Sequence, residues 1–342
     1  MRNHEVVTAH RLLDEKGALI EPGWSRSLVQ IYDRNDIKKR KTRIKEWDYY
    51  YVMSHSNKIA LCLTISDLSY LGMASVSIVN LENATEHTDS IIVPFTMGKT
   101  NLPPTSAVGD VKFKNKKLAM EFLNKGDYRV LRVDYPEFDG GKGLRANVKL
   151  TDEPQDSMVI ATPWAEDKKA FYYNQKIDCL RASGKIEYDG RLITLDSELD
   201  FAGLDWGRGV WTYDNVWYWG SGSGQVDGVP FGFNIGYGFG DTSAASENVI
   251  FYDGVAHKFD DIVFNISDNF TDPWTFKSSD GRFDMDFVPI IDRNALVDAK
   301  IIVTDQHQVF GKMSGTAVLD DGTKIQLKDF LCFAEKVHNK YW

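Results

Sequence analysis

Between residues 203 and 209 the chain reads GLDWGRG, which sets Asp205 and Arg208 three apart among glycines. The run continues VWTYDNVWYWGSGSG, so residues 204–224 hold four of the nine tryptophans, two tyrosines, one arginine and two aspartates. A core strand wants apolar side chains, and a solvated loop wants no indoles. The mixture describes an apolar surface with polar work to do. Two readings of Asp205 stand open: an ion pair fixed by Arg208, or a carboxyl facing an apolar cavity. Desolvation raises a carboxylic acid by roughly 3–5 pH units and an adjacent cation lowers it by roughly 1–3, so the surroundings decide. Glu247, just ahead of the strand-like NVIFYDG, is the second carboxylate expected at the mouth or inside of a sheet. Two carboxylates in unlike surroundings can divide acid and base roles. Asp205, Glu247 and Arg208 form the candidate catalytic set.

The elements that must position them read as strands. With 211–223 extended, Trp211, Tyr213, Asn215, Trp217 and Trp219 share one face, because alternate residues point to opposite sides. From 229 to 239 the odd positions are large and apolar, while the even ones are Pro230, Gly232, Asn234, Gly236 and Gly238. Glycine inside a strand marks a close approach, either of a neighbouring strand or of a ligand. The indoles of Trp206, Trp211, Trp217 and Trp219, with Tyr213 and Asn234, are the candidate ligand-binding residues. The glycines flanking Asp205 suggest a turn, which would let sequence neighbours converge on one site.

Asp-Gly pairs at 189–190, 227–228, 253–254, 280–281 and 321–322 each separate strand-like segments. Both central positions of a type I′ turn need positive φ, which Asp-Gly supplies, so each pair predicts a hairpin tip. Strand character in the first half is clearest in KIALCLTISDL, MASVSIVNLE, SIIVPFTM and YRVLRVDYP. Helical periodicity is confined to 34–47 and 116–124. The chain is therefore expected to be all-β with few short helices.

Composition narrows the chemistry. A net charge of −9 is unsuited to nucleic acid, which needs a basic surface. The basic stretch DIKKRKTRIK (36–45) reads as a solvated face leading to Trp47. The three cysteines, Cys62, Cys179 and Cys332, lie far apart in apolar settings and predict buried thiols. No two of the seven histidines have metal-ligand spacing, and neither GxSxG nor a nucleotide-binding glycine fingerprint is present. No metal and no cofactor is expected. The N-terminus lacks the apolar core of a signal peptide, and no apolar run approaches the roughly 20 residues of a membrane span. A cytoplasmic location follows as the expectation, with a small-molecule ligand or substrate as the partner.

GLDWGRGVW, the aromatic run ending WGSGSG, and GFNIGYGFGD followed by SENVIFYDGVAHK resemble the family called domain of unknown function 2804. LLDEKGALIEPGWSRS, RIKEWDYYYV, DPWTFKSSDGRFDMDF, FGKMSGTAVLDDGTKI and FAEKVHNKYW extend the resemblance over the chain. More distantly, the chain is similar to two-domain lipocalin-like proteins of the carotenoid 1,2-hydratase and AttH type. Asp205 and Trp206 match a segment those proteins place between two barrels, while Gly207-Arg208 departs from it. That resemblance implies two lipocalin-like antiparallel barrel or half-barrel units packed together, drawn at residues 1–180 and 181–342. It also implies acid/base chemistry of the hydratase or isomerase kind on an apolar or cyclic molecule. A non-catalytic binder of hydrophobic ligands, a glycoside-acting enzyme using paired carboxylates, and a purely structural aromatic core are the competing readings.

Overall fold

A computed structural model describes residues 3–298 and 303–341. Two large, curled antiparallel sheets dominate it. The first runs in the order Thr85–Pro94, Leu71–Asn80, Ile59–Asp67, Ile44–Ser54, Phe201–Val210, Phe171–Tyr188, Leu144–Thr151, Arg129–Tyr135, Ala119–Asn124, Val111–Lys114. The second runs Val255–Lys258, Val249–Tyr252, Val229–Tyr237, Asp214–Val226, Lys324–Lys340, Val303–Val318, Phe283–Asp298, Trp274–Ser278, Ile262–Asn265. Seven of these strands build the junction between the sheets. They are β1 (Ile44–Ser54), β2 (Phe171–Tyr188) and β3 (Phe201–Val210) from the first sheet, and β4 (Asp214–Val226), β5 (Val229–Tyr237), β6 (Val303–Val318) and β7 (Lys324–Lys340) from the second.

The hairpin expectation is met at all five Asp-Gly pairs, by two geometries. Asp189-Gly190, Asp227-Gly228 and Asp253-Gly254 have positive φ at both residues, as a two-residue type I′ tip requires. At 280–281 and 321–322 only the glycine is positive, and the loops are longer. Helix among the described residues is confined to short turns at Arg34–Asp36, Lys41–Arg43 and Phe138–Gly141. The periodicity at 34–47 and 116–124 therefore misleads: β1 begins at Ile44 and a strand covers Ala119–Asn124. Sheet pairing overrides local preference over 44–47 and 119–124, and in 34–43 only two single 3-10 turns form.

The basic stretch is solvated only up to Thr42, because Arg43 pairs with Asp167 at 3.3 Å and donates to the Trp211 carbonyl at 2.6 Å. Lys45 turns inward, 2% exposed, with its ammonium 4.4 Å from the Tyr70 ring and 5.1 Å from that of Tyr341. Burial lowers this amine to about 7. All three cysteines are buried thiols.

The division drawn at 180/181 falls inside β2, whose residues on both sides pair in the first sheet. β3 lies between β1 and β2, so the chain changes sheets at 211–213.

Segment 203–209 is strand throughout, not turn. Its glycines answer to a neighbour instead. Gly203, Asp205 and Gly207 lie opposite Tyr51, Tyr49 and Trp47 of β1. A Cβ on Gly203 would sit 2.4 Å from the Tyr51 ring, and one on Gly207 would sit 2.0 Å from that of Trp47. Rings of β1 cover bare backbone of β3, and Asp205 is left as the side chain standing between them.

Candidate active site

Alternation along β2 and β3 determines what reaches the junction. Tyr172, Asn174, Lys176 and Asp178 share one face of β2, and Asp205 projects from β3 at the position paired with Lys176. The Lys176 ammonium lies 2.9 Å from Asp205 Oδ2, and Asn174 Nδ2 donates to Asp205 Oδ1 at 2.5 Å. Lys176 is 2% exposed and Asp205 8%, so this ion pair stands in a medium that amplifies charge. The same ammonium sits 3.9 Å from the centroid of a Trp219 ring, which adds a cation–π contact.

The second sheet supplies the opposing wall. Trp219 Nε1 donates to Asn234 Oδ1 at 2.6 Å, and Asn234 Nδ2 donates to the Glu247 carbonyl at 2.8 Å and to its Oε2 at 3.4 Å. Trp217 Nε1 donates to Glu335 Oε1 at 3.0 Å. Gln308 Nε2 donates to Glu335 Oε2 at 3.2 Å and reaches the Tyr49 hydroxyl at 3.4 Å. Burial lifts the Glu247 carboxyl to about 7, against the pull of Lys176 and the Asn234 amide. Burial likewise lifts Glu335 to about 7, opposed by the Trp217 N–H, Arg293 and Lys176. Asp205 raises both. The result is two carboxyl groups poised near neutrality beside a fixed ammonium–carboxylate pair. The Tyr172 hydroxyl, buried among them, has no protein partner.

A second polar station follows along the same junction. Tyr51 Oη donates to Asp178 Oδ1 at 2.7 Å, and Ser221 and Ser223 reach the same oxygen at 2.9 and 3.3 Å. Burial lifts Asp178 to about 6. A bulge follows Ile177, where Cys179 takes φ 63°, and both Asp178 and Cys179 press on Gly232.

Asp205, Glu247, Trp217, Trp219 and Asn234 thus meet in one buried cluster. Trp211 joins its rim, 5.0 Å from Trp217 between ring centroids. Arg208 does not, because a residue three along a strand faces the opposite side. Its guanidinium, fully buried, pairs with Asp48 at 3.0 Å and donates to the Trp47 and Pro103 carbonyls, each at 2.7 Å. Trp206 points the same way, edge-on to Tyr32 and Tyr173 within the first sheet's own core. Tyr213 lies in the link between sheets, half-buried, its carbonyl accepting the Tyr341 N–H. Trp211 also precedes β4 instead of sharing it.

The glycine-faced strand resolves in favour of a neighbouring strand. A Cβ on Gly232 would lie 2.7 Å from Cys179 Sγ, one on Gly236 would lie 2.9 Å from Glu247 Oε1, and one on Gly238 would lie 2.3 Å from the Val216 carbonyl. Gly232 and Gly236 face protein, while Gly238, packed against Val216, also borders a surface cavity.

Lys176, Glu335, Gln308, Asn174 and Tyr172 complete the cluster and were not picked out from sequence. A signal existed: polar residues at every second position of YYNQKID, and a glutamate inside the apolar run FLCFAEKV.

Two curled antiparallel sheets closed over an internal polar seam define a double-sheet β protein with a buried acid–base cluster. The chain belongs to the family described as Domain of unknown function (DUF2804), whose profile matches residues 3–341. No curated protein matches its sequence. Among solved structures, a protein designated AttH from Nitrosomonas europaea is similar at a TM-score of 0.55 with 14% identity, over 90% of this chain and 94% of that one. CghA, solved with Sch210972, is similar at 0.53 with 10% identity, over 96% and 98%. Kievitone hydratase from Nectria haematococca gives 0.48 and 9%, over 97% and 98%. Identities this low establish a shared fold with the first two and nothing about activity. Among the described residues no helix is long and apolar enough to cross a membrane.

Proposed function

We propose that this protein is an enzyme that moves protons on an apolar or cyclic small molecule, in the manner of a hydratase or isomerase. The observation that carries the reading is the pair Glu247 and Glu335, both lifted to about 7 beside the Lys176–Asp205 ion pair. A carboxyl group near the working pH serves as acid or base with similar ease, which is the requirement of general acid–base catalysis. In this reading one of the two protonates an unsaturated carbon and the other accepts a proton from carbon or from water. Cationic charge developing on the substrate is stabilised by the faces of Trp217 and Trp219, at roughly 0.5–2 kcal/mol each. Lys176 and Asp205 hold the local field, and Tyr172 and Asn234 orient the substrate. CghA, solved with the small molecule Sch210972, shares the fold, which supports a small-molecule role. A strictly structural core would gain nothing from four buried ionisable groups, since apolar replacements are often as stable or more so.

Deuterium incorporation provides the test. The full-length protein is incubated in D2O with a panel of uncharged cyclic alkenes, enones and phenols, and the products are read by mass spectrometry. Carbon-bound deuterium that depends on the protein, and that Glu247→Gln or Glu335→Gln removes, supports the proposal. Compounds that bind without exchange would make the protein a binder. Exchange unchanged in both variants would assign the chemistry elsewhere.

A further inference from the structure

The cluster is sealed, so a substrate needs a way in. A surface cavity of about 320 Å³ lies where the link between the sheets meets the end of β5. Its inner wall includes Trp164 and Asn215, and Gly238 and Gly240 form part of its lining. Trp164 Nε1 donates to Asn215 Oδ1 at 3.2 Å, which fixes that wall. Between the two glycines stands Phe239, 6% exposed, its ring turned inward. It stacks on Tyr172 at 4.6 Å and 13°, and lies 5.5 Å from Trp217 and 6.1 Å from Trp211. Tyr172 and Trp217 are cluster residues: one carries the unpartnered hydroxyl and the other holds Glu335. One aromatic layer therefore separates the cavity from the carboxyl groups.

We propose that this cavity is the mouth of the buried site and an outer subsite for its ligand, and that the Phe239 ring is the gate between the two. The proposal rests on the acid–base reading of the cluster. The backbone of the gate is anchored: Thr162 Oγ1 donates to the Phe239 carbonyl at 2.5 Å, and the Asp241 N–H donates to the Pro163 carbonyl at 2.7 Å. Neither flanking residue carries a side chain, so the ring swings on a fixed post by parting from Tyr172, Trp217 and Trp211. The ligand class follows from the walls. Trp164 in the lining, with Trp211 and Phe239 packed behind it, offers flat apolar faces, which favour a planar, multi-ring molecule. Glu166 and Asp241 on the rim, with Asp214 held by His338 at 2.8 Å and Lys340 at 3.4 Å, disfavour an anion. The unpartnered hydroxyl of Tyr172 and indole N–H of Trp211 favour a ligand that brings a hydrogen-bond acceptor, such as a carbonyl or ether oxygen. The predicted ligand is uncharged, planar and oxygenated.

Nile red, which is neutral, planar and carbonyl-bearing, serves as the probe in stopped-flow fluorescence with the full chain. Phe239→Ala is expected to speed association by about tenfold, the order of losing one or two aromatic contacts at the barrier. Should that variant fail to fold, Phe239→Leu removes the stacked ring with most of its volume kept, and a smaller acceleration is expected. Val216→Cys, at the cavity lining, offers a reactive thiol while the three native ones are buried. Its modification with N-phenylmaleimide should block dye uptake, whereas the modified Val263→Cys, on a remote exposed strand, should not. Anilinonaphthalene sulfonate, an anion, should enter more slowly than Nile red. Unchanged association in the Phe239 variants, undiminished uptake after plugging, or no dye uptake by any form would overturn the gate. Glu247→Gln should leave dye kinetics alone while abolishing deuterium incorporation, so failure of the gate and failure of the chemistry read differently.

Discussion

Lys176 carries one positive charge into a space that also holds Asp205, Glu247 and Glu335. Removing one partner of a buried pair typically costs about 3–5 kcal/mol, because the other charge is left uncompensated. Here two titratable carboxyls stand ready to take over. Asp205→Asn is therefore expected to destabilise the protein by about 3 kcal/mol at pH 5 but by clearly less at pH 8, where Glu247 or Glu335 ionises and serves Lys176. Urea unfolding at the two pH values decides it; an equal loss at both would show that neither carboxyl feels the ammonium. Glu247 makes the complementary case. Its folded value of about 7 stands above the ordinary 4.5, so the folded state binds the extra proton between those values. Its contribution to stability is full below about pH 4.5 and is lost as pH rises through about 7, up to roughly 3 kcal/mol. Glu247→Gln should be the more stable protein above pH 7 and gain nothing at pH 4.5, as followed by thermal melts. Sequence pointed to Asp205 and Glu247 through their setting among glycines and aromatics. It did not disclose their ion partner, because Lys176 is 29 positions away and only strand pairing brings it opposite.

At the level of the strand, glycine was the informative residue and also the misleading one. Gly203, Gly207 and Gly209 suggested a turn; Gly203 and Gly207 are instead the bare rungs over which Tyr51 and Trp47 lie, and Gly209 faces the Phe171 carbonyl. A close approach is legible in sequence, but what approaches is set by a strand more than 150 positions earlier. Parity then follows: once 201–210 is a strand, Arg208 and Trp206 must leave the face that Asp205 occupies. Gly207→Ala tests this account. Its methyl would enter the Trp47 ring, so a loss of about 1–3 kcal/mol is expected, the usual cost of overpacking. Trp47→Leu in the same chain should recover part of that loss, since residues in contact do not add independently. Strict additivity in chemical denaturation would place the two residues apart. Three of the Asp-Gly tips formed as the type I′ reading requires because a two-residue hairpin is a local device fixed by backbone φ, while at 280–281 and 321–322 the hairpin closes through a longer loop.

Across the whole molecule, the all-β class and the pairing of two sheets were legible from hairpin signals, strand alternation and family resemblance. Where one unit ends was not, since β2 and β3 alternate like any other strands and only their pairing assigns them to the first sheet. We propose that the division between units falls at 211–213, where the chain crosses between sheets. The junction it crosses is built by both sides: β2 and β3 bring Lys176 and Asp205, while β4, β5 and β7 bring Trp219, Asn234 and Glu335. Charges so placed need both walls, because opening the junction would wet one half of every contact. The two units should therefore unfold together. Far-UV circular dichroism reports strands in both sheets, and near-UV dichroism reports the tryptophans concentrated at the junction. Coincident urea transitions by the two probes are expected, as for a two-state protein. Gly232→Val, whose side chain would meet Cys179 Sγ and the Gly222 carbonyl, should shift both curves to lower urea by the same amount. A near-UV transition that precedes the far-UV one, in either protein, would mean that the sheets part before they melt and that the seam is a contact between independent units.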